Sequence, residues 1–258
     1  MQQEHHLDPQ GPPLDGPAWT HQRWRDLTYL HWRVDPDRVA PLLPRGTRPD
    51  VHDGSTWVGL IPFTLADGAV GGSLPGVPYL GTFLETNVRL YSVDDEGRRG
   101  VVFRSLETER LAMVAAANAA LGVPYRWAAM DRVPPRDASL PDDPTGTTLA
   151  YRCRRRSAAL RHRPASEVVV EVGEPIAEPT PLQHFLSARF GAHTRAWGRT
   201  LWVPNTHSPW PLREARLLRL RDELVAAAGL PGVVDSRPES VLFSTGVHTW
   251  FGPPVVVR

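Results

Sequence analysis

The sequence predicts a single α+β domain built mainly from antiparallel strands. Three observations carry this reading. β-Branched and aromatic residues fall in short extended runs, Pro and Gly interrupt those runs at close intervals, and helical periodicity is confined to a few short segments. At 258 residues the chain can bury a large core without staples, and neither a repeat nor a dividing linker is visible.

Residues 1–20 open with MQQEHHLDPQGPPLDGP, which is polar, proline-rich and lacks the apolar segment of a signal peptide. They are expected to form a mobile arm, with residues 21–258 as the domain. Asp35 followed by Pro36 sets an N-cap and a first helical position, and a later proline stops that helix after about two turns. The runs 55–65 (STWVGLIPFTL), 82–93 (TFLETNVRLYSV) and 100–107 (GVVFRSLE) read as strands. The turn DDEG at 94–97 joins the last two in a hairpin. ERLAMVAAANAALG, at 109–122, has helical spacing and ends on Gly122, where a helix-terminating glycine belongs. PYRW then starts another strand.

Further along, TLAYRCRRRSA and ASEVVVEVGEP are expected strands, and TPLQHFLSARF is a helix capped by Thr180 with Pro181 in its first turn. PLREARLLRLRDELVAAAGL is ambiguous, since helix formers fill it while LLRLR also alternates. VLFSTGVHTWFGPP closes the chain as a strand.

Composition excludes several classes. Hydrophobic content of 41%, charged content of 22% and a net charge of +1 describe an ordinary globular protein, not a polyanion binder. The arginine cluster at 151–163 therefore reads as a solvated edge, with no nucleic acid as partner. Cys153 is the sole cysteine and no apolar run reaches membrane-span length, so a cytoplasmic protein with no membrane partner is expected. GGSLPG at 71–76 fails as a nucleophile elbow because Pro75 replaces the second glycine. The ten histidines include no HExxH pattern, and no phosphate-cradling loop is present, so no metal and no cofactor are predicted. Every one of the 29 basic residues is arginine; lysine is absent.

Alternation in TFLETNVRLY puts Thr82, Leu84, Thr86, Val88 and Leu90 on one face and Phe83, Glu85, Asn87, Arg89 and Tyr91 on the other. Glu85 and Arg89 are about 13 Å apart along such a strand, a spacing that flanks a ligand. The alternative is a polar face turned to solvent.

FLETNVRLY, the SLE strand after it, the alanine-rich helix, GVPYRWAAM, FLSARF, NTHSPWPL and STGVHTWFGPP together resemble the YqjF-like family of uncharacterised bacterial proteins, from about Trp24 to Pro254. That family is similar in fold to acetoacetate decarboxylase. The resemblance implies an acetoacetate-decarboxylase-like β-barrel or cone with a few peripheral helices, an interior that forms the ligand cavity, and a strand for LLRLR. It also implies that Glu85 matches the decarboxylases' active-site glutamate. Their two lysines, which follow a helix and a Gly-x-Pro turn, fall on Tyr125 and Arg126. Neither side chain supplies the primary amine of a Schiff base.

The candidate catalytic residues are thus Glu85 as acid or base, Tyr125 as hydrogen-bond donor and Arg126. Arg89, Asn87, His31 and His207 are the candidate ligand contacts, with the two arginines clamping an anion. Trp127, Trp210 and Trp250 are expected in the core. Two functions fit: an enzyme acting on a small oxygenated acid or ketone by proton transfer or hydration, or a non-catalytic binder of a small anionic metabolite. A homo-oligomer is compatible with either.

Overall fold

The computed structural model describes residues 8–70, 82–110, 122–156 and 162–257. They form one thirteen-stranded sheet. In chain order its strands are β1 (Thr20–Val34), β2 (Thr47–Pro49), β3 (Thr56–Val70), β4 (Phe83–Asp94), β5 (Arg99–Thr108), β6 (Tyr125–Val133) and β7 (Thr148–Arg155), followed by β8 (Ala165–Pro175), β9 (Gly191–Ala196), β10 (Arg199–His207), β11 (Leu212–Asp222), β12 (Ser240–Phe251) and β13 (Val255–Val256).

The sheet closes on itself twice. One ring runs β5-β6-β7-β8-β11-β12-β1-β3-β4 and returns to β5 through the β4–β5 hairpin. A smaller ring leaves β5 for β9 through the single bridge Val101↔Ala192, continues to β10, and rejoins the wall through β10–β12. Strands β12, β1, β3, β4 and β5 are common to both rings. All pairings are antiparallel except β5–β6 and β5–β9. A parallel neighbour needs a crossover connection, and sixteen residues separate Thr108 of β5 from Tyr125 of β6. The helix expected over 109–122 lies mostly outside the described residues.

The larger ring is packed with apolar side chains from every wall, among them Leu30, Leu60, Val88, Leu149, Val170 and Phe243. The predicted short helix forms over Pro36–Val39, with the Asp35 carboxylate accepting from Asp37 N at 2.8 Å. A second helix, Pro181–Ser187, carries a reciprocal cap: Gln183 N donates to Thr180 Oγ1, and Thr180 N donates to Gln183 Oε1. LLRLR is strand, within β11, and the helix Leu224–Ala227 follows it.

β1 was not anticipated from the sequence, because its alternation breaks. Asp26 takes a positive φ of 55°, and the register to β3 shifts between Arg25 and Leu30, so one extended strand reads as two unrelated patterns. Residues 8–19 precede it without strand pairing. Gly11 lies so close to β10 that a Cβ there would stand 2.6 Å from Thr206 Oγ1.

Candidate functional site

Both faces of β4 are buried, which a strand with a solvated face would not show. The reason is its place in the wall shared by the two rings. Val88 and Leu90 join the core of the larger ring, while Glu85, Asn87, Arg89 and Tyr91 point to the opposite side. On that side Asn87 stands opposite Ile61, Glu85 opposite Phe63, and Arg89 opposite Gly59, which in turn faces His31 of β1.

The Gly-x-Pro turn delivers Tyr125 to this face. Gly122 has φ of 62°, and a Cβ there would overlap the Arg195 carbonyl at 2.0 Å, so only glycine permits the approach to β9. β6 then enters parallel to β5, with Tyr125 beside Leu106 and Leu106 beside Asn87. The Tyr125 hydroxyl donates to Glu85 Oε2 at 3.0 Å. Burial raises the Glu85 carboxyl to about 8, and hydrogen bonds from Tyr125 and Asn87 only partly offset that rise. Glu85 is thus a neutral acid at pH 7. Burial and the adjacent Glu85 push the Tyr125 phenol well above its ordinary range.

Arg89 anchors the other end of the face. Its Nη2 donates to the Leu186 carbonyl at 2.8 Å and its Nε to the Tyr91 hydroxyl at 3.1 Å. Tyr91 spends its own proton on the same Leu186 carbonyl at 2.9 Å. His31 Nε2, 2.6 Å from the Tyr91 oxygen, must therefore be the donor there. That leaves Nδ1 as an unprotonated acceptor, and it is buried without a hydrogen-bond partner among the described residues. The tautomer agrees with the environment: burial and the cations Arg89 and Arg189 hold His31 well below its ordinary range, so it is neutral. Among the described residues Arg89 forms no ion pair, although it is 8% exposed.

His207 is buried between Phe190 and Trp210, and its Nδ1 lies 2.7 Å from the Ser208 carbonyl. Trp210 also meets Tyr29 edge-on, and the Arg89 guanidinium lies over that tyrosine ring. Tyr29, which sequence reasoning missed, has a buried hydroxyl without a hydrogen-bond partner among the described residues, and the same holds for Asn87 Oδ1 and Trp210 Nε1. Alternation along YLHWRV would have paired Tyr29 with His31.

The expected clamp is not assembled as foreseen. Arg126 is exposed on the face of β6 opposite Tyr125, because adjacent strand residues point to opposite sides. The second guanidinium near Arg89 is instead Arg189, from the FLSARF segment, buried and paired with Asp50. Trp210 is buried, but Trp127 and Trp250 are more than a third exposed: Trp127 lies under the Arg156 guanidinium and Trp250 stacks on His248.

A Ser–His–Asp alignment also occurs: His193 Nδ1 lies 2.8 Å from Ser92 Oγ and Nε2 3.1 Å from Asp94 Oδ2. All three are buried, and Asp94 also holds the hairpin turn through Glu96 N and Arg98 N. This set fastens β4 to β9 and exposes no nucleophile. Among the described residues no three His, Cys, Asp or Glu side chains converge on a metal position, and no helix is long and apolar enough to cross a membrane.

The family DUF2071, described as an uncharacterized conserved protein, matches residues 21–248. The chain belongs to the DUF2071 family. Its relatives include the uncharacterized protein YqjF of Bacillus subtilis, 27% identical over 206 residues that cover 78% of each chain. Among solved structures, this DUF2071 protein is similar to an acetoacetate decarboxylase-like enzyme from Sphingomonas wittichii (TM-score 0.61, 14% identity, 98% of both chains covered). It is also similar to acetoacetate decarboxylase from Legionella pneumophila (0.60, 14%, 96% and 92%). A third similar structure is the enduracididine biosynthesis enzyme MppR complexed with pyruvate (0.59, 15%, 95% and 92%). The DUF2071 chain therefore has the acetoacetate-decarboxylase-like fold.

Proposed function

We propose that this protein binds a small organic acid on the polar face of β4 and moves a proton on it through Glu85, without amine chemistry. The observation that carries the reading is Arg89, a buried guanidinium that pairs with no carboxylate among the described residues. A charge taken out of water calls for a counter-charge, and an acid ligand supplies one. Four residues along the strand, Glu85 holds a proton at neutral pH and Tyr125 is hydrogen-bonded to the same carboxyl. That pair suits protonation of an enolate or, once Glu85 is ionised, removal of a proton beside a carbonyl. Asn87 orients Glu85, His31 orients Tyr91 and Arg89 through its single donor nitrogen, and His207 with Trp210 walls the side near Tyr29.

Pyruvate in the fold neighbour MppR supports a 2-oxo acid as the ligand type. The chain's lack of lysine directs the reaction toward proton transfer, as no side chain can form a Schiff base. The test is proton exchange in deuterated buffer, followed by NMR on pyruvate and on 2-oxoglutarate. Exchange of the protons beside the carbonyl should exceed the buffer rate, rise as pH approaches about 8 where Glu85 ionises, and vanish in Glu85→Gln. Binding without exchange would make the protein a binder instead. Exchange that survives Glu85→Gln would remove Glu85 from its role.

A further inference from the structure

The surroundings of Arg89 extend into a column in which rings and guanidiniums alternate. The Arg89 guanidinium carbon lies 5.5 Å from the Tyr29 ring and 5.4 Å from the Tyr91 ring. Arg189 follows, 4.8 Å from Tyr91 and 4.2 Å from Phe185, and Arg99 lies 5.5 Å from Phe185 on the same stack. Three guanidiniums are thus held in succession within the protein. The side chain of Arg189 is 2% exposed and that of Arg99 20%.

Their acceptors are few. The Arg99 guanidinium takes both oxygens of Asp50, at 2.8 and 2.7 Å, and Arg189 pairs with the same carboxylate. Among the described residues no other carboxylate pairs with any of the three cations. The remaining contacts are neutral: Arg189 Nε donates to the Phe185 carbonyl at 2.7 Å and Arg89 to the Leu186 carbonyl, both in the last turn of the helix Pro181–Ser187. Carbonyls at a helix C-terminus and ring faces favour cations but do not neutralise them. Among the described residues, the buried Arg189 Nη2 has no hydrogen-bond partner. The neighbouring titratable groups add no negative charge, because His31 is neutral and Glu85 keeps its proton at pH 7. Three cations against one carboxylate leave an excess of two positive charges.

We infer that the ligand bound here carries a head group with two negative charges, a dicarboxylate or a phosphate ester, held by Arg89 and Arg189 on either side of the Tyr91 ring. This rests on the anion-binding reading above and narrows it: a simple monocarboxylate would leave one cation uncompensated. Arg89 supplies one contact through its guanidinium and Arg189 the other through Nη2, with Tyr91 between them.

Calorimetric titration of the purified protein at pH 7 with succinate, inorganic phosphate and butyrate decides the matter. Succinate or phosphate should bind at least about tenfold more tightly than butyrate. Preference for succinate identifies a dicarboxylate head, and preference for phosphate a phosphate ester. Butyrate binding as tightly as both would overturn the two-charge inference while leaving an acid site at Arg89. No binding by any of the three at millimolar concentration would overturn both readings. Arg89→Gln, checked for folding by circular dichroism, should bring succinate down to the butyrate level.

Discussion

Tyr125 and Glu85 are 40 residues apart in the chain, yet the hydroxyl of one donates to the carboxyl of the other at 3.0 Å across the intervening strand β5. Burial of that carboxyl, which the contact only partly offsets, creates a pH signature. The folded-state Glu85 titrates at about 8 against an ordinary 4.5, so between those values the native protein holds a proton that the unfolded chain has lost. Stability contributed by this group is present below about pH 4.5 and falls as pH rises toward 8, by about 1.4 kcal/mol per unit at most. Glu85→Gln mimics the neutral acid. Measured by thermal unfolding at several pH values, the variant should match the wild type below about pH 4.5 and become the more stable of the two at pH 8. A difference that does not change with pH would show that Glu85 is ionised in the fold.

Arg89 and Asp50 should respond in opposite directions to removal of charge. Arg89→Met takes an uncompensated cation out of the interior, so the ligand-free melting temperature should rise by several degrees while anion binding is lost. Asp50→Asn strips Arg99 and Arg189 of their only carboxylate among the described residues, and breaking such a buried pair costs about 3–5 kcal/mol. At roughly 2–4 °C per kcal/mol, that is a fall of about ten degrees. Scanning calorimetry of both variants checks the contrast; a large fall for Arg89→Met would make that cation a structural element.

Gly59 makes room for His31. A Cβ at this position would lie 2.9 Å from His31 Nε2 and 3.1 Å from Cδ2, the edge of the ring that donates to Tyr91. Gly59→Ala should cost about 1–3 kcal/mol and weaken acid binding, because the displaced imidazole no longer holds Tyr91 and Arg89 in place. Urea unfolding with a parallel ligand titration reads both effects. An unchanged affinity would show that His31 has no part in positioning Arg89.

The missing amine predicts a negative result with a built-in control. Incubation with pyruvate followed by borohydride should leave no adduct on any side chain, whereas Tyr125→Lys, which places an amine beside Glu85, should allow one. Peptide mapping by mass spectrometry locates any label. An internal adduct on the wild type would sink the amine-free mechanism.

By itself, the sequence determined the mainly antiparallel class, the capped helices at Pro36 and Pro181, and the alternation that unites Glu85, Asn87, Arg89 and Tyr91, because each depends on neighbours within a few residues. It also determined that no lysine side chain is present to form a Schiff base, since composition alone decides that. Only the tertiary structure decided that both faces of β4 are buried, because ring closure joins strands far apart in the chain. It likewise placed Arg126 outside and Arg189 inside. Whether an arginine is solvated or buried depends on which strand or helix is packed over it, and the pairing of Arg189 with Asp50 spans 139 residues that no local pattern connects.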